Sequence, residues 1–240
     1  MQQQELYKCG VPAACIFCDA RRRGMCGALE PHQLAKLSKY SVRKNASSGK
    51  ELYSATDRTG GFSNILSGVV KLSRTLSDGR QQIVGLQFPP DFLGRPFKSG
   101  NAITAEAVTE VVLCSLPQAA VERMIAESPS LEHRLYEQSL RELDEARELM
   151  VTLGRKTAAE KVASFLIMIA RHLDPASQER KSTAFDLPLT RMDIADYLGL
   201  TIETVSRQLT QLRSANIIQI VNKHHIIVPN LARLAARAGD

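Results

Sequence analysis

A chain of 240 residues, 44% hydrophobic and 23% charged, is long enough for two domains with cores of their own and too apolar to be disordered. Its longest largely apolar stretch, Val162 to Ala170, is too short to span a bilayer, and the polar N-terminus lacks the order of a signal peptide, so a cytoplasmic protein with reduced thiols is expected. The net charge of +6 is uneven: residues 1–48 carry 8 Lys and Arg against 3 Asp and Glu, residues 49–154 carry 11 against 14, and residues 155–240 carry 12 against 8. A phosphate-rich partner is therefore expected at the C-terminal end and not in the acidic middle. With no Trp and 5% aromatics, a base-stacking platform for single strands is not expected.

The first 30 residues read as a cysteine-rich loop. Cys15, Cys18 and Cys26 form a C-x2-C-x7-C group, and Cys114, far along the chain, offers a fourth thiolate; Cys9 is left over. Four thiolates hold either an iron–sulfur cluster or a tetrahedral zinc, and spacing does not separate the two. The run Arg21-Arg22-Arg23 would offset the negative charge of a thiolate site, with an ordinary solvated loop as the alternative. Cys114, with Val111, Val112 and Leu113 before it, suits a plain core thiol equally well.

Residues 31–118 contain short β-rich runs between turn residues: Ile65-Leu66, Val69 to Leu72, Gln82 to Phe88 and Val108 to Leu116, with Ser77-Asp78-Gly79-Arg80 as a hairpin turn. An antiparallel β-domain follows. From Pro117 to Leu173 the pattern is helical, and residues 119–156 are read as one long helix. Along it, Tyr136, Ser139, Leu143, Ala146, Met150, Leu153 and Thr157 recur at alternating intervals of three and four, a heptad seam suited to pairing two copies. Packing of that stripe on the β-domain of its own chain is the alternative.

Residues 157–240 hold the strongest motif. Thr190 caps a first helix with Asp193 three residues on, Gly199 permits a sharp turn, and Thr201 caps a second helix that buries Val205, Leu209 and Leu212. That spacing is a helix-turn-helix, and its second helix places Glu203, Ser206 and Arg207 on one outward face near its start. An Arg fork matches O6 and N7 of guanine, a Glu accepts from N4 of cytosine, and a Ser serves either kind of base. Ile217, Ile218, Ile220 and Val221, a polar break, then Ile226, Ile227 and Val228 read as a β-hairpin wing. The sequence shows no P-loop, dinucleotide fingerprint or local nucleophile-and-base motif, so an enzyme is not expected. An electron carrier would have no use for a base-reading helix.

Over nearly its whole length the chain resembles the CRP/FNR superfamily of bacterial transcription regulators, and within it the FNR-like oxygen sensors. YLGLTIETVSRQL looks like the FNR recognition motif, C-x2-C-x7-C resembles the variant spacing of alphaproteobacterial FNR-type proteins, and VVLCSLP resembles the strand with their fourth ligand. The resemblance implies an α+β architecture: an antiparallel β-roll sensor domain, a long dimerisation helix and a C-terminal winged helix-turn-helix. It implies a [4Fe-4S] cluster on Cys15, Cys18, Cys26 and Cys114, and a homodimer joined along Leu143, Ala146, Met150 and Leu153. It implies that Glu203, Ser206 and Arg207 read an inverted repeat of TTGAT in double-stranded DNA. An activator that meets RNA polymerase at genes for low-oxygen metabolism is the implied role. The phosphate-binding Arg-Ser pair of the cyclic-nucleotide branch has no counterpart in KSGNAITAEAV, which argues against cAMP. A regulator with the same DNA-binding half that senses haem-bound nitric oxide or thiol oxidation is the rival reading.

Overall fold

A computed structural model describes residues 10–54, 61–94, 103–175 and 180–239. Cys9 and the first five residues of KSGNAITAEAV lie outside them. The chain divides into two compact units, one of residues up to Arg74 with Gly85–Asp144, the other of Thr75–Val84 with the residues from Glu145 on.

In the first unit, β1 (Val42–Ala46), β3 (Gly61–Ser67), β6 (Phe92–Leu93) and β8 (Val111–Pro117) form an antiparallel sheet in the order β1-β8-β3-β6. A second sheet, in the order β2-β7-β4-β5, takes β2 (Glu51–Tyr53), β4 (Val70–Thr75), β5 (Gln81–Gln87) and β7 (Thr104–Ala107). Between the sheets, Ala46, Ile65 and Leu113 of the first meet Val70, Ala105 and Ala107 of the second. Strand residues alternate faces, so Phe62, Asn64, Cys114 and Leu116 point the other way. That outer face is also covered, because Phe62 and Leu116 share a core with Ile16, Met25, Leu34, Val121 and Leu131 of the surrounding helices. Burial on both sides explains why VVLCSLP is apolar without alternation.

The N-terminal segment, expected as a loop, holds α1 (Ala13–Ile16), α2 (Asp19–Arg22), a 3₁₀ turn (Met25–Ala28) and α3 (Pro31–Ser38). The helical stretch after β8 is three helices: α4 (Gln118–Glu127), α5 (Pro129–Arg155) and α6 (Ala158–Leu173). The expected single helix over 119–156 is thus divided at Ser128, whose φ of −138° and ψ of 94° are the extended conformation that a following proline favours. α5 ends where Thr157 begins a capping box with Glu160.

In the second unit α6 buries Val162, Leu166 and Ile169, and Phe165 lies against Tyr197 with ring centroids 5.7 Å apart. The unit continues with β9 (Thr183–Asp186), α7 (Arg191–Leu198), α8 (Ile202–Ser214), β10 (Gln219–Val221), β11 (His225–Val228) and α9 (Leu231–Ala238). No helix among the described residues is long and apolar enough to cross a membrane.

The backbone N–H and hydroxyl of Thr157 hold the Glu160 carboxyl below its ordinary range. A depressed folded value means that the interaction stabilises fully above the ordinary carboxylate range and is lost as pH falls through the folded value. Thr157→Ala, which removes the cap acceptor for the Glu160 N–H, is expected to cost about 0.5–2 kcal/mol at neutral pH. The deficit should shrink in acid, as read by urea unfolding at a series of pH values.

Candidate functional site

The four candidate thiols come from four separate pieces of backbone. Cys15 lies in α1, Cys18 is the N-cap of α2, and Cys26 lies in the 3₁₀ turn. The Cys18 carbonyl accepts from the N–H groups of Arg21 and Arg22, at 3.1 and 3.2 Å, and so starts the first turn of α2. The 3₁₀ turn then folds back on α2: a Cβ added at Gly27 would stand 2.6 Å from the Arg21 carbonyl oxygen, a distance that only glycine permits. Cys114 comes from β8, where it pairs in register with Arg43 of β1 and Asn64 of β3. Directly opposed residues share a face, so all three side chains point toward the helical layer.

The thiols stand close enough to feel one another. Burial first, and then the charge of neighbouring thiols, pushes Cys15, Cys26 and Cys114 above the ordinary range: Cys15 responds to Cys18 and Cys114, Cys26 to Cys114, Cys18 and Cys15, and Cys114 to Cys18. Groups that favour the thiolate oppose this, namely Arg21 and Arg43 at Cys15, Ser41 and Arg43 at Cys114, and the Asn64 amide at Cys26. Asn64 Nδ2 donates to Cys26 Sγ at 3.8 Å. Among the described residues no three His, Cys, Asp or Glu side chains are placed to hold a single metal ion. Of the tribasic run, Arg22 pairs with Asp19 at 2.8 Å and Arg23 at 3.7 Å, leaving Arg21 as the member that acts on the thiols. Arg43 and Asn64 are not distinguished in the sequence, since strand register brings them in, and Ser41 stands just before β1.

The second candidate site is on α7 and α8. The Thr190 side chain accepts from the Asp193 N–H at 3.1 Å and the Asp193 carboxylate accepts from the Thr190 N–H at 3.1 Å, a closed capping box. Gly199 ends α7 at φ 60° in the left-handed region, and the Thr201 hydroxyl accepts from the Thr204 N–H at 3.2 Å to start α8. Val205, Leu209 and Leu212 are buried, while Glu203, Ser206 and Arg207 are exposed on the opposite face. The N–H of Glu203 and the Thr201 hydroxyl hold the Glu203 carboxyl below its ordinary range, which keeps it an ionised acceptor at neutral pH. The wing pairs β10 with β11 through Ile220 and Ile226, and Asn222 and Lys223 make the tight turn with φ of 49° and 67°. β9 adds a third strand that the sequence reading left out, although Thr183 and Phe185 alternate with exposed Ala184 and Asp186. Arg191, half-buried at the start of α7, donates to the Lys223 carbonyl at 3.3 Å and ties the helix-turn-helix to the wing.

On α5, Tyr136, Leu143 and Met150 of the expected seam are exposed in the single chain, Ala146 is half-buried, and exposed Leu140 and Val151 widen the stripe. Leu153 is half-buried, with a methyl 3.7 Å from where a Gly199 Cβ would stand.

A winged helix-turn-helix with an exposed reading face, carried with a β-roll and a long helix, defines a DNA-binding transcription regulator. The Crp-like helix-turn-helix domain matches residues 160–237 and the cyclic nucleotide-binding domain matches residues 43–128. A "Probable transcriptional activator" of Rhizobium leguminosarum bv. viciae is 51% identical, covering 97% of this chain and 96% of its own. The transcriptional activator protein FnrL of Cereibacter sphaeroides is 40% identical over 98% of this chain and 93% of its own. The structure of FixK2 from Bradyrhizobium japonicum superposes with a TM-score of 0.75 at 31% identity, covering 82% of this chain and 96% of that one. The chain belongs to the CRP/FNR family of transcription regulators, and that family is one of regulators and not of enzymes.

Because the Gly27 contact is backbone against backbone, Gly27→Ala is expected to displace the 3₁₀ turn at a cost of about 1–3 kcal/mol. Cys26 should then react faster with a thiol reagent in metal-free protein. Unchanged Cys26 reactivity would show that the close approach does not place the thiol.

Proposed function

We propose that this regulator responds to oxygen through a [4Fe-4S] cluster held by Cys15, Cys18, Cys26 and Cys114. The observation that carries the reading is the gathering of four thiols from four segments, coupled to one another, at the outer face of β8. The residues around them suit a thiolate site, with Arg21 and Arg43 offsetting negative charge and the Asn64 amide donating to sulfur. Such a cluster, when bound, supplies an oxygen-labile centre. The chain's own part is to tie the N-terminal segment to β8 by four points, so that loss of the centre frees that segment from the sheet.

We further propose that α5 pairs with its counterpart in a second copy along Tyr136, Leu143, Ala146 and Met150, with Leu140 beside them. A two-fold dimer sets two α8 helices about one DNA turn apart, which matches an inverted repeat, TTGAT-N4-ATCAA. Within a half-site Arg207 takes the guanine, Glu203 accepts from the paired cytosine, and Ser206 meets the neighbouring thymine. Ile202 offers no hydrogen bond at the outer position. Relatives described as transcriptional activators support a role in activation, and contact with RNA polymerase is part of the proposal. A cyclic nucleotide is not the proposed signal, since KSGNAITAEAV carries no Arg-Ser pair.

Protein purified without oxygen should absorb broadly near the visible–blue boundary, lose that band in air, and lack it when Cys18 or Cys26 is Ser. Sedimentation of the same sample should show dimer weakening in air; a 100-fold change in association is about 2.7 kcal/mol. A colourless anaerobic protein with stoichiometric zinc would overturn the cluster, and equal association in both states would overturn its coupling to α5.

Arg207→Ala should cost about 1–3 kcal/mol on the chosen site and relax preference at the half-site guanine, whereas loss of a phosphate-contacting Lys or Arg weakens all sequences alike. Binding selection on randomised DNA reads this directly. A consensus without the GA step, or an unchanged base preference in the variant, would show a different reading face.

A further inference from the structure

Asn64 is the residue around the thiols that packing explains least. It is fully buried in β3, with Cys114 opposite on one side and Phe92 opposite on the other. Its neighbours on that face, Phe62 and Leu116, are core side chains. Its Nδ2 donates to Cys26 Sγ at 3.8 Å, and its Oδ1, buried as well, has no partner among the described residues. An amide that leaves a buried acceptor unused is a worse core residue than an apolar side chain of the same shape. The amide nevertheless stands at the one register position that adjoins Cys114 while reaching Cys26, two thiols that are 88 positions apart in the chain.

We propose that Asn64 is a positioning residue of the iron–sulfur site: its amide holds Cys26 beside Cys114 and, by donating to sulfur, sets the potential and the oxygen lifetime of the cluster. The inference rests on the cluster reading above. A donor to a ligating sulfur draws electron density from it, which raises the reduction potential and makes oxidation harder. Outer partners of metal ligands commonly change affinity or activity by about 10–100-fold when removed.

The test compares wild type with Asn64→Leu, which keeps the branched outline of the side chain and removes both donor and unused acceptor. Both proteins are reconstituted anaerobically with ferrous iron and sulfide. The variant is expected to lose its visible absorption about 10-fold faster in air, at the low end of that range, and to show a more negative midpoint potential. Its metal-free form should unfold no earlier than wild type, and its Cys26 should react faster with a thiol reagent. Asn64→Ala carries the same spectroscopic expectation if the Leu variant does not fold. Equal decay and equal potential in loaded wild type and variant overturn the role of Asn64 and leave the cluster standing. A merely structural residue would instead lower the unfolding midpoint of metal-free protein and leave decay and potential unmoved. Wild type that takes up no iron and sulfide overturns the cluster reading, and this inference with it.

Discussion

Strand β8 is buried on both faces, and the rest of the first unit is arranged by that constraint. Val111 and Leu113 point into the interior of the roll, while Cys114 and Leu116 alternate onto a face that the helices cover. Because side-chain direction has a period of two, a slip of one residue against β1 and β3 would send Cys114 into the roll and Leu113 among the thiols. The register in which Cys114 opposes Arg43 and Asn64 is thus what assembles the thiol site, and the hydrophobic residues on both sides of the strand are what fix the register. Core and chemistry are set by the same pairing, so the fourth thiol is as firmly placed as the core itself.

The other three thiols sit on short elements. α1, α2 and the 3₁₀ turn are each four residues long, too short to persist alone, and Ile16 and Met25 anchor them in the core of Phe62, Leu116 and Leu131. Val11, Ala20 and Leu29 are buried as well, so tertiary packing and not helix propensity holds the segment that carries these thiols.

What was legible in the sequence follows the range of the interactions. The caps at Thr190 and Thr201, the turn at Gly199 and the buried Val205, Leu209 and Leu212 are local, and α7 and α8 carry them as the spacing required. The break at Ser128 has its local cause in Pro129, which a continuing apolar period conceals. Thr183 to Asp186 is too short to show alternation without its partner, β11. Arg43 and Asn64 are out of reach for a different reason: nothing in their neighbourhood along the chain distinguishes them, and only the pairing of β1, β8 and β3 brings them to the thiols. The exposed stripe of α5 was legible in Tyr136, Leu143 and Met150, whereas Leu153, in line with them by period, is drawn toward the turn at Gly199.

The reading face leaves little room for regulation by internal rearrangement. α7 is closed by a capping box at its start, by a left-handed glycine at its end and by the Lys161 ammonium on the Leu198 carbonyl, at 3.2 Å. α8 is capped by Thr201 and buries Val205, Leu209 and Leu212, and Arg191 fixes the wing turn to the first helix. Shifting Glu203 relative to Arg207 would break several of these contacts at once, a total of several kcal/mol at about 1 kcal/mol for each cap or hydrogen bond. Bringing two intact reading faces together or apart would require no such loss, and the apolar stripe of α5 is exposed in the single chain. Under the pairing proposed above, association along that stripe would set affinity for a two-fold site, while base preference would stay a fixed property of each α8 helix.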